Sequence, residues 1–392
     1  MAAANLRIPS GMRDWLNGEA EDKRRLTNNL LDSIRSWGYQ EISTPILEYY
    51  QVLLEGENDQ EQDQLYKLID RDGSILALRP EMTTPIARVV SSKIQGNPPW
   101  RLMYGGEVFR YENIQTGKQR EFSQVGVEMI GQKGAEVDAE ILALACETLQ
   151  QSGLERFTVS LGHTGVLAGI LQGFVGEVGE IVNVAEARNL ILEKDFVGLE
   201  QLLEKTGLAK ETIAGIISLL TEPQDNLLDL AAESDLPPAI KEALAELGQI
   251  MNLVKEYGFS EDIQVDLSTL RPQSYYTGMV FEIYTPGIGY TIGGGGRYDQ
   301  LLHRFGKDYP ATGFALGVER ILLALPSKDK VLNRVLVAGD LEQITSQQII
   351  KKADELRKEG RVVIQDFRKL SQDEAAGIAR EKQAELCWLG GI

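Results

Sequence analysis

The chain has 392 residues, 43% of them apolar, which is enough for two or three domains with a sizeable core. It carries a net charge of −18 with only two cysteines and two histidines, so a disulfide framework, a zinc centre and a histidine-based triad have little to build with. No apolar run approaches the roughly 20 residues that cross a bilayer, and Met1-Ala2-Ala3-Ala4-Asn5 lacks a basic segment leading into an apolar core. We therefore expect a soluble, cytoplasmic protein with no membrane contact, in which Cys146, Cys387, His163 and His303 serve packing.

Ser10-Gly11-Met12-Arg13-Asp14 reads as a turn, after which Leu26, Leu30, Ile34 and Trp37 recur at helical spacing until Gly38 stops the helix. Tyr39 to Leu47 reads as a strand interrupted by Thr44-Pro45, and a proline inside a strand belongs at an edge or an interface. Leu65 to Ile69 and Ile75 to Leu78 form a predicted hairpin through Asp70-Arg71-Asp72-Gly73-Ser74. The second strand runs into Pro80-Glu81-Met82-Thr83-Thr84-Pro85, where two prolines hold an extended turn that sets Glu81 and Thr83 on the sheet rim, before a helix through Val90.

Trp100 to Phe109 and Phe122 to Ile130 read as an antiparallel pair joined by the polar loop from Tyr111 to Glu121. Residues 124, 126 and 128 share one strand face, so Gln124 and Glu128 point the same way with Gly126 leaving room between them. With Arg110 and Arg120 at the ends of the connecting loop, that face suits an anionic or zwitterionic small ligand. Val137 to Leu149 is helical by pattern, and Phe157, Val159 and Leu161 alternate as a strand.

From Val166 to Tyr257 the pattern is helical, with breaks near Gly207, Pro223 and Pro237-Pro238. Strand patterns on both sides make this a helical insertion in a sheet domain. It is strongly acidic: residues 170–262 hold 18 Asp and Glu against 6 Lys and Arg, a net of −12. Residues 332–392 hold ten of each sign, and Val335 to Val337, Arg361 to Ile364 and Leu386 to Leu389, with helices 341–359 and 371–383 between them, predict a small parallel βαβαβ unit. Neither segment offers the basic face that phosphates demand.

The stretch from Gln264 to Leu325 carries three signals in succession. These are Arg271-Pro272-Gln273-Ser274-Tyr275-Tyr276-Thr277-Gly278, Gly293-Gly294-Gly295-Gly296-Arg297-Tyr298-Asp299 and Gly313-Phe314-Ala315-Leu316-Gly317-Val318-Glu319-Arg320. Met279 to Tyr284 reads as a strand between the first two. Strands with bare glycine faces would let a ligand lie against the backbone, with arginines reaching over it.

Together these motifs resemble the class II aminoacyl-tRNA synthetases, and within that class the chain is similar to histidyl-tRNA synthetase. The strand with Pro45 matches the first class motif, Phe109-Arg110-Tyr111-Glu112 through Arg120-Glu121-Phe122 the second, and Gly313 to Arg320 the third; Tyr275-Tyr276-Thr277-Gly278 and Gly293 to Asp299 match the histidine signatures. The resemblance implies an α+β fold: a class II antiparallel sheet core (1–165 and 258–328), an acidic helical insertion (166–257) and a shortened anticodon-binding-like α/β domain (332–392). It implies a histidine pocket lined by Glu81, Thr83, Gln124, Glu128, Arg271, Tyr275 and Tyr276, and a nucleotide-like pocket of Arg110, Glu112, Arg120 and Arg320. It also implies a dimer through the class II core.

The departures bear on activity. Where the synthetase reads Arg-Gly-Leu-Asp-Tyr-Tyr, this chain has Arg271-Pro272-Gln273-Ser274-Tyr275-Tyr276, in which proline fixes φ beside the arginine and Ser274 replaces an acid. Its loop Glu112-Asn113-Ile114-Gln115-Thr116-Gly117-Lys118 lacks the arginine of Glu-Arg-Pro-Gln-x-Gly-Arg, and Met82 stands where the synthetase has glycine, crowding the pocket floor. With its acidic insertion, the chain fits the synthetase paralogues that act as regulatory subunits of ATP phosphoribosyltransferase. That resemblance implies a non-catalytic partner of the short catalytic subunit in the first step of histidine biosynthesis, with histidine as allosteric effector, no tRNA, no metal and no cofactor. An active histidyl-tRNA synthetase and a stand-alone amino-acid sensor are the alternatives.

Overall fold

The computed structural model of the chain describes residues 7–56, 62–111, 119–175, 184–222, 226–232, 236–273, 275–326 and 333–390. Two compact units divide it, Met1–Leu325 and Pro326–Ile392. Among the described residues no helix is long and apolar enough to cross a membrane.

The larger unit is built on an eight-stranded sheet. Its strands are β1 (Gln40–Glu41), β5 (Trp100–Phe109), β6 (Glu121–Ile130), β7 (Thr158–His163), β8 (Ile263–Val265), β9 (Met279–Tyr284), β10 (Gly293–Arg297) and β11 (Ala311–Gly317). Their spatial order is β1-β5-β6-β11-β10-β9-β7-β8. The interior pairings are antiparallel, while the two edge pairs, β1 with β5 and β7 with β8, are parallel. Period-two patterning gives the sheet two different faces. On β6, Val125, Val127 and Met129 point into one core with Leu26, Leu30 and Ile34 of the helix Asn17–Ser36 and Leu142, Ala145 and Leu149 of the helix Ala135–Ser152. Burying each such Leu or Ile contributes about 1.5–3 kcal/mol. The alternate residues, Gln124, Gly126 and Glu128, face the other way.

On that other face a second core gathers Met82 and Ile86 with Leu102, Tyr104, Val108, Tyr275, Tyr298 and Leu301. The helix Thr83–Ser92 supplies Ile86, and its first turn follows Pro80 as the sequence predicts. A small sheet of β2 (Leu47–Tyr49), β4 (Ile75–Leu78) and β3 (Lys67–Ile69) flanks it, and the register sets Tyr49, Leu76 and Leu68 in one row. Leu47, Tyr49 and Leu68 remain 42%, 56% and 44% exposed. The single strand expected over Tyr39 to Leu47 is two strands in two sheets. Thr44-Pro45 is the reason: the chain cannot continue a ladder through Pro45, which has no N–H, and Thr44 accepts from Arg79 Nη1 at 2.8 Å instead.

Between β7 and β8 run the helices Thr164–Gly169, Val184–Leu192, Phe196–Glu204, Lys210–Thr221, Leu227–Ala232 and Pro238–Tyr257. Leu199, Leu202, Ile213, Ile216, Leu244 and Leu247 are buried among them. His163 is buried, accepting from the Gly165 N–H at 3.0 Å and lying 3.4 Å from Glu246. Cys146 is also buried and Cys387 half-buried. His303 departs from the packing expectation: it lies exposed on the short helix Leu301–Arg304, whose Leu301 and Leu302 take the buried positions.

The smaller unit is a three-stranded parallel sheet, β13 (Val362–Gln365), β12 (Arg334–Gly339) and β14 (Glu385–Leu389) in that order. The helix Ser346–Lys358 packs Ile349, Ala353 and Leu356 against Val335 and Val337. Both of its helices begin with capping boxes, Thr345 with Gln348 and Ser371 with Glu374.

Candidate functional site

A small cavity opens over the sheet face that carries Gln124 and Glu128. Its floor is where glycines from three strands, β6, β11 and β10, meet in register: Gly126 opposite Ala315 and Tyr104, Gly313 opposite Glu128 and Gly296, Gly294 opposite Ala315 and Glu282. The glycines do not stay bare. A Cβ at position 126 would lie 2.5 Å from Tyr104 Oη, one at 294 would lie 2.5 Å from Arg271 Nη1, and one at 296 would lie 3.0 Å from Tyr276 Cδ1. The missing methyl groups therefore let Tyr104, Arg271 and Tyr276 lie against the backbone, while Gly294 and Gly313 still line the cavity themselves.

Seven residues singled out by sequence, Glu81, Thr83, Gln124, Glu128, Arg271, Tyr275 and Tyr276, line this one cavity, as does Arg110. Met82 lines it too and is almost fully buried, in the crowding position expected for it. Glu81 is held by its own helix: it accepts from the backbone N–H groups of Thr83 and Thr84 at 2.5 and 2.8 Å, at the helix N-terminus that favours a carboxylate. Thr83 Oγ1 donates to Glu128 at 2.7 Å, and the Tyr298 hydroxyl donates to the other Glu128 oxygen. Burial pushes the Glu128 carboxyl up to about 8, against the hydrogen bonds from Tyr298 and Thr83, with the nearby Glu81 charge adding to the rise. Burial likewise raises the Tyr298 and Tyr104 hydroxyls well above their ordinary value, helped by the Glu128 charge.

Across the cavity Arg271 reaches over Gly294 to Glu282 at 3.4 Å. Among the described residues three buried polar atoms of the lining have no hydrogen-bond partner: Gln124 Oε1, Gln273 Oε1 and Arg271 Nε. Unmet buried donors and acceptors are costly, so these three atoms of lining residues are candidates to bond a molecule in the cavity, water included. A carboxyl pair on one side and a guanidinium on the other fit a small molecule bearing both a cationic and an anionic group. Among the described residues no cluster of His, Cys, Asp and Glu is placed to hold a metal ion.

The residues expected to form a nucleotide-like pocket are divided between the cavity and its surroundings. Arg110 donates from Nε to the Pro80 carbonyl at 2.9 Å, and its guanidinium stands 5.5 Å from the Phe122 ring. Arg320 donates to the Thr291 carbonyl at 2.7 Å and stands 5.9 Å from Phe122 and 5.2 Å from Tyr290. These two arginines thus converge on Phe122 beside the cavity. Arg120 does not join them: it lies 3.8 Å over the Tyr111 ring, packed against Gly11. Glu112, the loop onward to Lys118, and Ser274 lie outside the described residues.

Tyr104, Gln273, Tyr298 and Phe122 belong to the site without having been singled out. Gln273 and Tyr298 sit inside quoted motifs, so their type and neighbours were a signal; Tyr104 enters only because register sets it opposite Gly126. Arg297, within the glycine motif, serves structure: it holds the buried Asp138 through two hydrogen bonds of 2.9 and 2.8 Å and Asp299 at 3.0 Å.

A family model for histidyl-tRNA synthetase matches residues 11–321. The ATP phosphoribosyltransferase regulatory subunit of Moorella thermoacetica is 41% identical over 98% of both chains, and that of Bacillus subtilis is 37% identical over 92% of this chain and 91% of its own. A crystal structure from Bacillus halodurans C, described as an ATP phosphoribosyltransferase regulatory subunit/histidyl-tRNA synthetase, superposes with a TM-score of 0.85 at 31% identity over 99% of both chains. The histidyl-tRNA synthetase of Nostoc sp. PCC 7120 shares the fold, with a TM-score of 0.79 at 24% identity over 96% of this chain and 89% of its own.

Proposed function

The chain belongs to the family of ATP phosphoribosyltransferase regulatory subunits and carries a histidyl-tRNA synthetase-like class II core. On that premise we propose that it is a non-catalytic, cytoplasmic subunit that assembles with a short-form catalytic subunit and transmits feedback inhibition by histidine, which binds in the cavity over β6. The observation that carries the reading is the cavity's chemistry. Glu81 and Glu128 offer carboxyl groups suited to an ammonium and an imidazole, Arg271 offers a guanidinium suited to a carboxylate, and Gln124 and Gln273 hold unused hydrogen-bonding capacity.

Met82 in the cavity floor and Pro272 beside Arg271 support a sensing rather than an activating role. Both restrict the room and the backbone freedom that chemistry at this site needs. The acidic segment 170–262 supports the absence of tRNA from its ligands. The apolar row of exposed Tyr49 and Leu68 with half-buried Leu76 between them supports self-association through the class II core.

The test is reconstitution. Mixed with a short-form catalytic subunit, the chain is expected to switch on ATP phosphoribosyltransferase activity and to make it sensitive to histidine. A coupling of about 1–3 kcal/mol corresponds to a roughly 5- to 150-fold change in affinity between the two sites. Tyr276→Ala is expected to abolish the histidine response while leaving assembly intact. Histidine-dependent ATP–pyrophosphate exchange by the chain alone would instead make it a synthetase, and failure to co-purify with the phosphoribosyltransferase would leave it a free-standing sensor.

A further inference from the structure

The described residues of the cavity wall, Asp266 to Gln273 and Tyr275 to Thr277, are neither helix nor strand, yet they deliver Arg271, Gln273, Tyr275 and Tyr276 to the cavity. Its two ends are bonded to the sheet, Asp266 N–H to the Leu161 carbonyl and Thr277 N–H to the Arg297 carbonyl, and further attachments come from the helical segment inserted between β7 and β8. Arg188, on the helix Val184–Leu192, donates from Nη2 to three consecutive carbonyls, those of Arg271, Pro272 and Gln273, at 2.5, 3.0 and 3.1 Å. Two hydrogens on one nitrogen serve three acceptors, so at least one bond is shared. The loop presents a small nest of carbonyl dipoles converging on a cation. Pro272 suits this arrangement, because it adds a carbonyl and no N–H to that side of the loop.

Two residues after the same helix, Lys194 makes a second attachment. Its Nζ donates to Asp266 at 3.1 Å, to the Ser268 carbonyl at 3.2 Å and to Ser268 Oγ at 2.6 Å. Lys194 adopts φ 57°, a left-handed conformation that side chains other than glycine seldom take. Its attachment is therefore kept against a local backbone preference. The start and the middle of the loop are thus tied to one inserted helix and the turn that follows it by charge-assisted bonds.

We propose that Arg188 is a positioning residue for the cavity: by clamping the 271–273 carbonyls it holds Arg271 and Gln273 in place, and it makes occupancy of the cavity and order of the helix Val184–Leu192 two readings of one equilibrium. This rests on the reading that histidine is the ligand. Coupling of this kind is reciprocal, so whatever steadies the loop steadies the helix.

Arg188→Met keeps the length of the side chain and removes the cation, and Arg188→Lys restores a cation with three donors. Hydrogen exchange of the Ser268, Thr269 and Thr277 amides is measured without any ligand, followed by calorimetric titration with histidine and thermal unfolding. Arg188→Met is expected to speed exchange at these amides and weaken histidine binding by about tenfold or more, with the melting temperature within a few degrees of wild type and Arg188→Lys recovering most of the affinity. In the wild-type chain histidine is expected to slow exchange across 184–194. Unchanged loop exchange in Arg188→Met overturns the clamp. A lowered melting temperature with unchanged histidine affinity also overturns it, since that is a merely structural role. Faster loop exchange in Arg188→Met, with a wild-type chain that fails to bind histidine, upholds the clamp and refutes histidine as the ligand.

Discussion

Glu128 is a buried carboxyl that shares its cavity with a second carboxyl and keeps its proton up to about pH 8. An unfolded glutamate loses that proton near pH 4.5, so between these values the folded state binds more protons than the unfolded one. The contribution of Glu128 to stability is therefore fully present below about pH 4.5 and is lost as pH rises through about 8. Glu128→Gln fixes the neutral form, and Thr83 and Tyr298 retain a partner because their hydroxyls can donate or accept. Thermal melts of both proteins from pH 5 to 9 are expected to diverge in favour of the glutamine variant, by on the order of a few kcal/mol at the alkaline end. Calorimetry at pH 7 in buffers of different ionisation enthalpy is expected to show proton release when histidine binds the wild type, and none for Glu128→Gln. Equal pH profiles for the two proteins would contradict the raised carboxyl.

The elements show which parts of the architecture a sequence can display. β5 and β6 were legible nearly to the residue because their apolar alternation has the strand period and the loop between them is polar. Pro45 was legible as an interruption, but that the two halves join different sheets was not, because pairing is decided by residues far along the chain. The glycine motifs were legible as a demand for close approach. What approaches was not: Tyr104 and Arg271 come from β5 and from the loop before β9, and only the register of four strands brings them over Gly126 and Gly294. Arg297 was hidden for a similar reason, since its partner Asp138 lies 159 residues away on the helix Ala135–Ser152. That pair fastens β10 to the helix layer with both side chains almost wholly buried. Breaking a buried pair by removing one partner strands the other charge, so Arg297→Met is expected to cost about 3–5 kcal/mol, read from denaturant unfolding. A loss below 1 kcal/mol would show that Asp138 finds another partner or a proton.

At the scale of the whole molecule, an apolar row crosses the small sheet where the class II core is expected to meet its copy. A stable interface covers about 800 Å² on each partner, and a three-stranded sheet with Leu47, Tyr49 and Leu68 outward can form the centre of one. Leu68→Glu places a charge in that row while Ala77, Leu65 and Leu53 behind it keep their packing. Light scattering on the eluted protein is expected to give a dimer for wild type and a monomer for Leu68→Glu with an unchanged circular dichroism spectrum; a monomeric wild type would remove the interface.

The parallel pairing of β7 with β8 sets a rule for any attempt to excise the inserted helices. A hairpin loop returns a strand antiparallel, so a two-residue splice from His163 to Ile263 would turn β8 end for end and abolish its register with Val159, Ser160 and Leu161. A shortened protein keeps its sheet edge only with a connector of a dozen residues or more that runs back along β7 before entering β8. The insertion is thus the only described route by which the chain gets back to the start of that edge, and a minimal version of the core has to be designed around the return path.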